Sequence, residues 1–305
     1  MNNFRRFAAA GCAAFALAGH FLNVAAAQTA AAAREVRVIP EPKVRGLIRP
    51  VDIAAFPNTF HSEFVAGPNS GLDSAYLVLS RVPPGGTGPA LHTHPVDQFY
   101  FVLKGEMKLQ LGSDTFTVGP DTLVMIPAGT PHHNWNERAT EELHVELFVP
   151  PPPLDKLLSP AEPRKIPNAA ALIRHAKAED FDDSKGPLKG FATQWLARRD
   201  NGSEHLAINV AQVQPKAGGP GLHIHAFDQI YFVIEGTMNV QLGLKQYQVK
   251  PNSYIIIPAG TVHRQWNEGP GIEKHLTLLI PEPKQGEPFD IGVELGKEVA
   301  TTPSK

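Results

Sequence analysis

The sequence predicts an all-β protein built from two copies of one barrel. Three observations carry that prediction. Short runs of aromatic, aliphatic and β-branched residues recur between turn signals. Glycine and proline are abundant, at 26 and 29 of 305 residues. A long stretch is written twice at a constant offset of 131 residues, so that LHTHPVDQFYFVLKG at 91–105 returns as LHIHAFDQIYFVIEG at 222–236. Short strands punctuated by Gly and Pro argue for a sandwich or barrel, and no long helical periodicity competes with them. An offset well beyond the 20–50 residues of a solenoid unit marks a duplicated domain.

Taken in chain order, the first element is a leader. MNNFRRF is a positive n-region, an alanine-rich apolar run follows, and Ala25–Ala27 precedes Gln28. This reads as a secretory signal peptide cut near Ala27, which places the mature protein in the periplasm or outside the cell. The run is too weakly flanked for a membrane span. Arg5-Arg6 resembles only the first part of a twin-arginine signal, and the run before Cys12 is too short for a lipoprotein site. Cys12 is the sole cysteine, so the mature chain has no disulfide and no thiolate, and any metal rests on nitrogen and oxygen ligands. A net charge of −2 offers no nucleic-acid surface and no polybasic membrane anchor. A composition of 42% hydrophobic and 19% charged residues is sufficient for a buried core in each copy.

The first copy occupies residues 28–160. QFYFVLKGEMKLQLG and FTVGPDTLVMIPAG read as successive strands with turns between them. VPPPPLDKLLSPAEPRKIP at 149–167 reads as a semi-rigid, proline-rich connector around a short helix, LDKLL, with the boundary near Pro160. The second copy occupies 161–305, and its tail beyond Pro281 is polar and reads as an arm or a poorly ordered segment. The offset holds from His92/His223 through Gly105/Gly236, Pro127/Pro258, His132/His263 and Asn136/Asn267 to His144/His275 and Pro150/Pro281, without a gap.

Alternate residues of a strand share a face, so His92 and His94 point into one space. Gln98 reaches that space from beyond a turn, and His132 from the later IPAGTPH segment. His223, His225, Gln229 and His263 repeat the set. A lone buried histidine is usually a hydrogen-bonded core residue, but six at one repeated spacing point to metal. Three imidazoles and an amide oxygen suit iron, copper, nickel or zinc, and manganese tolerates them. Tyr100 and Tyr231 follow the glutamine by two and are weak pocket candidates, with core packing the alternative. Trp135 and Trp266 read as rim packing. His133, which becomes Arg264, reads as solvent-facing. His144 and His275 sit on a strand, either behind the site or in the core. Asp97 and Asp228 read as turn residues.

These residues resemble the two cupin motifs. Gly86, His92, His94, Gln98 and Gly105 fit the first, and Pro127, Gly129, His132 and Asn136 the second, with Asp121 at a glycine position. The second copy departs from glycine at Ala217 and Asn252. Residues 50–283 therefore resemble a bicupin, which implies two tandem jelly-roll barrels, each with a metal near its centre and often assembled as homo-oligomers. The family's fourth ligand is usually glutamate; here both copies have glutamine, which can be neither charged nor a base. A divalent ion would then keep its full charge and favour an anionic partner; the alternatives are weaker metal binding, or Gln98 and Gln229 standing behind the ligands as hydrogen-bond partners. By resemblance to quercetinase-like and diketone-cleaving cupins, the expected activity is a metal-dependent dioxygenase acting on a small enolate- or phenolate-type substrate. The alternatives are a lyase, isomerase or cyclase using the metal as a Lewis acid, and a small-molecule binding protein without turnover.

Overall fold

The structure is a computed structural model and describes residues 47–295 except Asn69 and Lys185. The leader, its cleavage point and Cys12 lie outside the described residues. Among those described there are 22 strands, five short 3₁₀ turns and no α-helix. The chain is all-β, as two tandem barrels.

Each barrel is a sandwich of a six-stranded and a five-stranded antiparallel sheet. In the first, Asp97–Lys104 lies between Thr122–Ile126 and Glu142–Val149. In the second, Asp228–Glu235 lies between Ser253–Ile257 and Glu273–Ile280. These central strands are buried on both faces, and the two faces do different work. Phe99, Phe101, Val145 and Leu147 turn outward into one apolar cluster shared with Ile230, Phe232, Tyr254 and Leu278 of the other barrel. Tyr100 and Val102 turn inward to line their own barrel with Met107, Leu109 and Leu111. Each fully buried large side chain contributes about 1.5–3 kcal/mol, so the shared cluster joins the two barrels firmly.

The barrels also exchange strands. Ile48–Pro50 pairs with Ser253–Ile257 in the second barrel, and Ile173–His175 pairs with Thr122–Ile126 in the first. A linear boundary near Pro160 does not capture this crossing. Polar ties reinforce the contact. Tyr254 Oη donates to the Val78 carbonyl at 2.8 Å, Ser74 Oγ donates to Asp228 at 2.7 Å, and Lys274 pairs with Asp121 at 2.6 Å.

The glycine departures have a backbone explanation. Asp121 and Asn252 both stand at positive φ, 63° and 61°. Short polar side chains tolerate this left-handed region better than others do. Gly105 and Gly236 allow no substitute, because an added Cβ would lie 2.3 Å from the Glu141 carbonyl oxygen and 2.6 Å from that of Ile272.

Two segments differ from expectation. The LDKLL stretch makes only a 3₁₀ turn, Leu154–Lys156, and Ser159–Pro160 then pairs with His92–Thr93. The tail beyond Pro281 is no loose arm over its described length: Ile291–Gly292 pairs with His223–Ile224. Connector and tail thus cross matching places on the two barrels. Backbone pairing, which hydropathy does not register, holds both down.

Candidate metal centres

His92 and His132 are cross-strand neighbours, as are His223 and His263. His94 and His225 follow two residues on, just past the short strands. The Pro-Ala-Gly turn that leads to His132 is held beside them: Gly129 N–H donates to the His94 carbonyl at 2.8 Å, and Ala128 N–H donates to the Asp97 carboxylate at 2.9 Å. Asp228 does the same for Ala259. The two aspartates therefore fix the turn and take no part in the site.

All six imidazoles are buried. In each trio the potential ligand atoms lie within 4.8 Å of one another. Every Nδ1 meets a backbone carbonyl: His92 on Ala90, His94 on Leu157, His132 on Thr130, His223 on Gly221, His225 on Phe289 and His263 on Thr261, at 2.5–2.9 Å. A carbonyl only accepts, so the ring proton sits on Nδ1 and the Nε2 lone pair is bare. Such outer partners fix tautomer and ring orientation at metal sites. The straps therefore matter chemically, since Leu157 and Phe289 belong to the connector and the tail.

Burial holds five of these rings neutral. It lowers the pKa of His92, His94 and His225, and it puts His132 and His263 well below the ordinary value, with their neighbouring histidines adding to the effect. Neutral imidazole is the ligating form.

Bare acceptor atoms then face one another. His92 Nε2 and His94 Nε2 are 3.1 Å apart, and His132 Nε2 and Gln98 Oε1 are buried without a hydrogen-bond partner. In the second barrel Gln229 Oε1 lies 2.7 Å from His263 Nε2 and 3.1 Å from His225 Nε2. Clustered lone pairs without protons between them fit a cation and little else. Each trio can hold a divalent transition metal, with the glutamine oxygen as a fourth donor.

Behind this likeness the two sites differ. In the first barrel Gln98 Nε2 donates to Glu146 at 3.1 Å. Glu146 also accepts from Ser80 and from His144 Nε2, and His144 Nδ1 meets Glu142 at 2.9 Å. Burial opposes charge on His144, but the two carboxylates outweigh it and push its pKa up to about 10. In the second barrel Thr277 replaces Glu146, Ala211 replaces Ser80 and Asn209 replaces Val78. The cavity is about 440 Å³ there, lined by His223, Gln229, Tyr231, Asn209, His275 and Thr277, against about 170 Å³ in the first barrel. Sequence reasoning missed Glu146. Its signal was an acid on a strand of the first copy where the second copy has threonine.

The remaining candidates fall into place. Tyr100 and Tyr231 line the cavities, and their rings meet His144 and His275 edge-on at 4.8 and 4.9 Å. Burial raises both phenols, so they stay protonated. Trp135 bonds Glu137 and stacks on His133, while Trp266 bonds Glu268 beneath Arg264. Neither His133 nor Arg264 lines these two cavities.

The family described as "Cupin domain" matches residues 78–149 and again 209–279. The chain is a bicupin, a cupin with two cupin domains in tandem. A gentisate 1,2-dioxygenase of Haloferax sp is 22% identical over 286 residues, covering 76% of this chain and 80% of that one. Auxin-binding protein 4 of Zea mays is 27% identical over 126 residues, covering 38% of this chain and 60% of that one. Among solved structures, a variant of the salicylate 1,2-dioxygenase of Pseudoaminobacter salicylatoxidans in complex with gentisate matches with a TM-score of 0.57 at 13% identity, covering 74% of this chain and 77% of that one. A variant oxalate decarboxylase of Bacillus subtilis matches with a TM-score of 0.57 at 13% identity, covering 74% of each chain. At such identities the structural likeness is one of fold.

Proposed function

We propose that the protein is a metal-dependent dioxygenase acting on a small hydroxyaromatic anion of the gentisate or salicylate type. The observation that carries this is the donor set: three Nδ1-anchored imidazoles whose Nε2 atoms converge with an amide oxygen, present twice. The relation to a gentisate 1,2-dioxygenase over most of both chains supports the substrate class. A bound transition metal would supply Lewis acidity and, for iron or manganese, redox chemistry toward oxygen.

The chain's own residues do the rest. Three imidazoles and an amide add no charge, so a divalent ion held there would keep its full charge. That charge would favour an anion in the second barrel, where Asp290 lies 3.7 Å from His223, while Glu146 opposes one in the first. The buried Tyr231 and the partly exposed Phe289 line the second cavity and offer edges and faces to a ring. The hydroxyls of Tyr100 and Tyr231, kept protonated, serve as donors. Export with removal of residues 1–27 belongs to the same proposal, and mass spectrometry of the mature amino terminus checks it.

Elemental mass spectrometry on untagged protein, followed by oxygen uptake with gentisate and salicylate, tests the activity. Two equivalents of metal and stoichiometric oxygen consumption are expected. Metal-loaded protein that consumes no oxygen with any hydroxybenzoate, catechol, flavonol or diketone refutes it.

A further inference from the structure

We propose that His275 is the proton acceptor for a substrate hydroxyl in the carboxyl-terminal barrel, oriented by Glu273, and that the amino-terminal barrel cannot perform this step because Glu146 occupies the matching nitrogen. The inference deepens the proposed activity and rests on it only in requiring a hydroxyl-bearing ligand.

His275 lies on the strand Glu273–Ile280 and is fully buried. Its Nδ1 meets both oxygens of Glu273, at 3.1 and 2.9 Å. A carboxylate accepts, so the ring proton is on Nδ1. Its Nε2 is buried and has no hydrogen-bond partner among the described residues, and the residue lines the 440 Å³ cavity that His223 and Gln229 also line. Leaving a buried polar atom unpaired is costly. A group that pairs only with a ligand accounts for that cost. Tyr231 approaches the ring from the adjacent strand and Phe191 from the edge strand of the same sheet. The Tyr231 phenol, held protonated by burial, does not compete as a base.

The step is a simple proton transfer. The substrate O–H bond breaks, its electron pair stays on oxygen, and an N–H bond forms at His275 Nε2. The resulting imidazolium is offset by the Glu273 carboxylate 2.9 Å away. A carboxylate behind an imidazole is the arrangement that orients a general base and stabilises its charged form.

The first barrel is the internal control. His144 occupies the same place and Glu142 plays the part of Glu273. Its Nε2 is already bonded to Glu146 at 3.1 Å. With a carboxylate on each side the ring carries both protons and can accept none. Glu146 also brings a buried negative charge to a cavity of only about 170 Å³, which opposes an anionic ligand.

Catechol binding to the zinc-loaded full chain tests this without oxidation. Calorimetry in buffers of different ionisation enthalpy counts the protons released per catechol. The His92→Ala/His94→Ala background leaves only the second barrel able to hold zinc. There His275→Gln is expected to release one more proton per catechol than its parent and to bind about tenfold more weakly. Thr277→Glu, which keeps the histidine but caps it as in the first barrel, is expected to do the same. His223→Ala/His225→Ala, with only the first barrel active, is expected to release protons like the His275→Gln protein. An unchanged proton count in both His275→Gln and Thr277→Glu, retention of the proton by the first barrel, or failure of the second barrel to bind catechol overturns the proposal. Absence of turnover with gentisate refutes the dioxygenase reading and leaves this result standing.

Discussion

Replacing Glu146 by glutamine should destabilise the first barrel in a pH-dependent way. The substitution keeps the shape and removes one charge. His144 then stays cationic between one carboxylate and one amide, and Ser80 and Gln98 lose a charged acceptor. Removing one partner of a buried ion pair costs about 3–5 kcal/mol. Glu142 remains, at 2.9 Å, so the lower end, about 3 kcal/mol, applies at pH 7. At roughly 2–4 °C per kcal/mol for a chain of this size, the melting temperature should fall by about 6–12 °C. The pH dependence has a definite sign. The pKa of His144 rises on folding from 6.5 to about 10. Its stabilisation is therefore complete below about 6.5 and fades as pH rises toward 10. The gap between parent and Glu146→Gln should be widest near pH 6–7 and narrow toward pH 10. Scanning calorimetry of metal-free protein across that range measures it, with Thr277→Val in the other barrel as a control expected to change little. A gap under about 1 kcal/mol at pH 7, or one that does not vary with pH, refutes the reading of Glu142–His144–Glu146 as a buried ionic relay.

Other outcomes follow from the same structure. His92→Ala/His94→Ala and His223→Ala/His225→Ala should each lose one of two metal equivalents, as read by elemental mass spectrometry. Truncation after Pro281 removes the Phe289 carbonyl that anchors His225; zinc affinity of the second barrel should fall about 10–100-fold in a chelator competition while the first barrel is unaffected. Gly105→Ala should cost about 1–3 kcal/mol in urea unfolding, because its φ of 76° and the Glu141 carbonyl leave no room for Cβ. Gly119→Ala, with open space around it, should cost little.

Much of this protein was legible in the sequence. The duplication, the all-β class and the two His-X-His trios follow from local spacing, since strand periodicity and turn residues act over a few positions. The aspartates as turn-holders followed from the same local logic. What only the tertiary structure decided lies in long-range pairing. The connector read as a semi-rigid spacer and the tail as a polar arm, yet each supplies the carbonyl that sets a histidine tautomer, because a backbone oxygen is available whatever the side chain. The strand exchange between barrels is equally silent, as an edge strand carries no mark of its partner. Glu146 was the deepest omission. Its position on a strand was readable, but only the fold shows that it turns inward onto His144 and Gln98, where low polarity lets one carboxylate set the two sites apart.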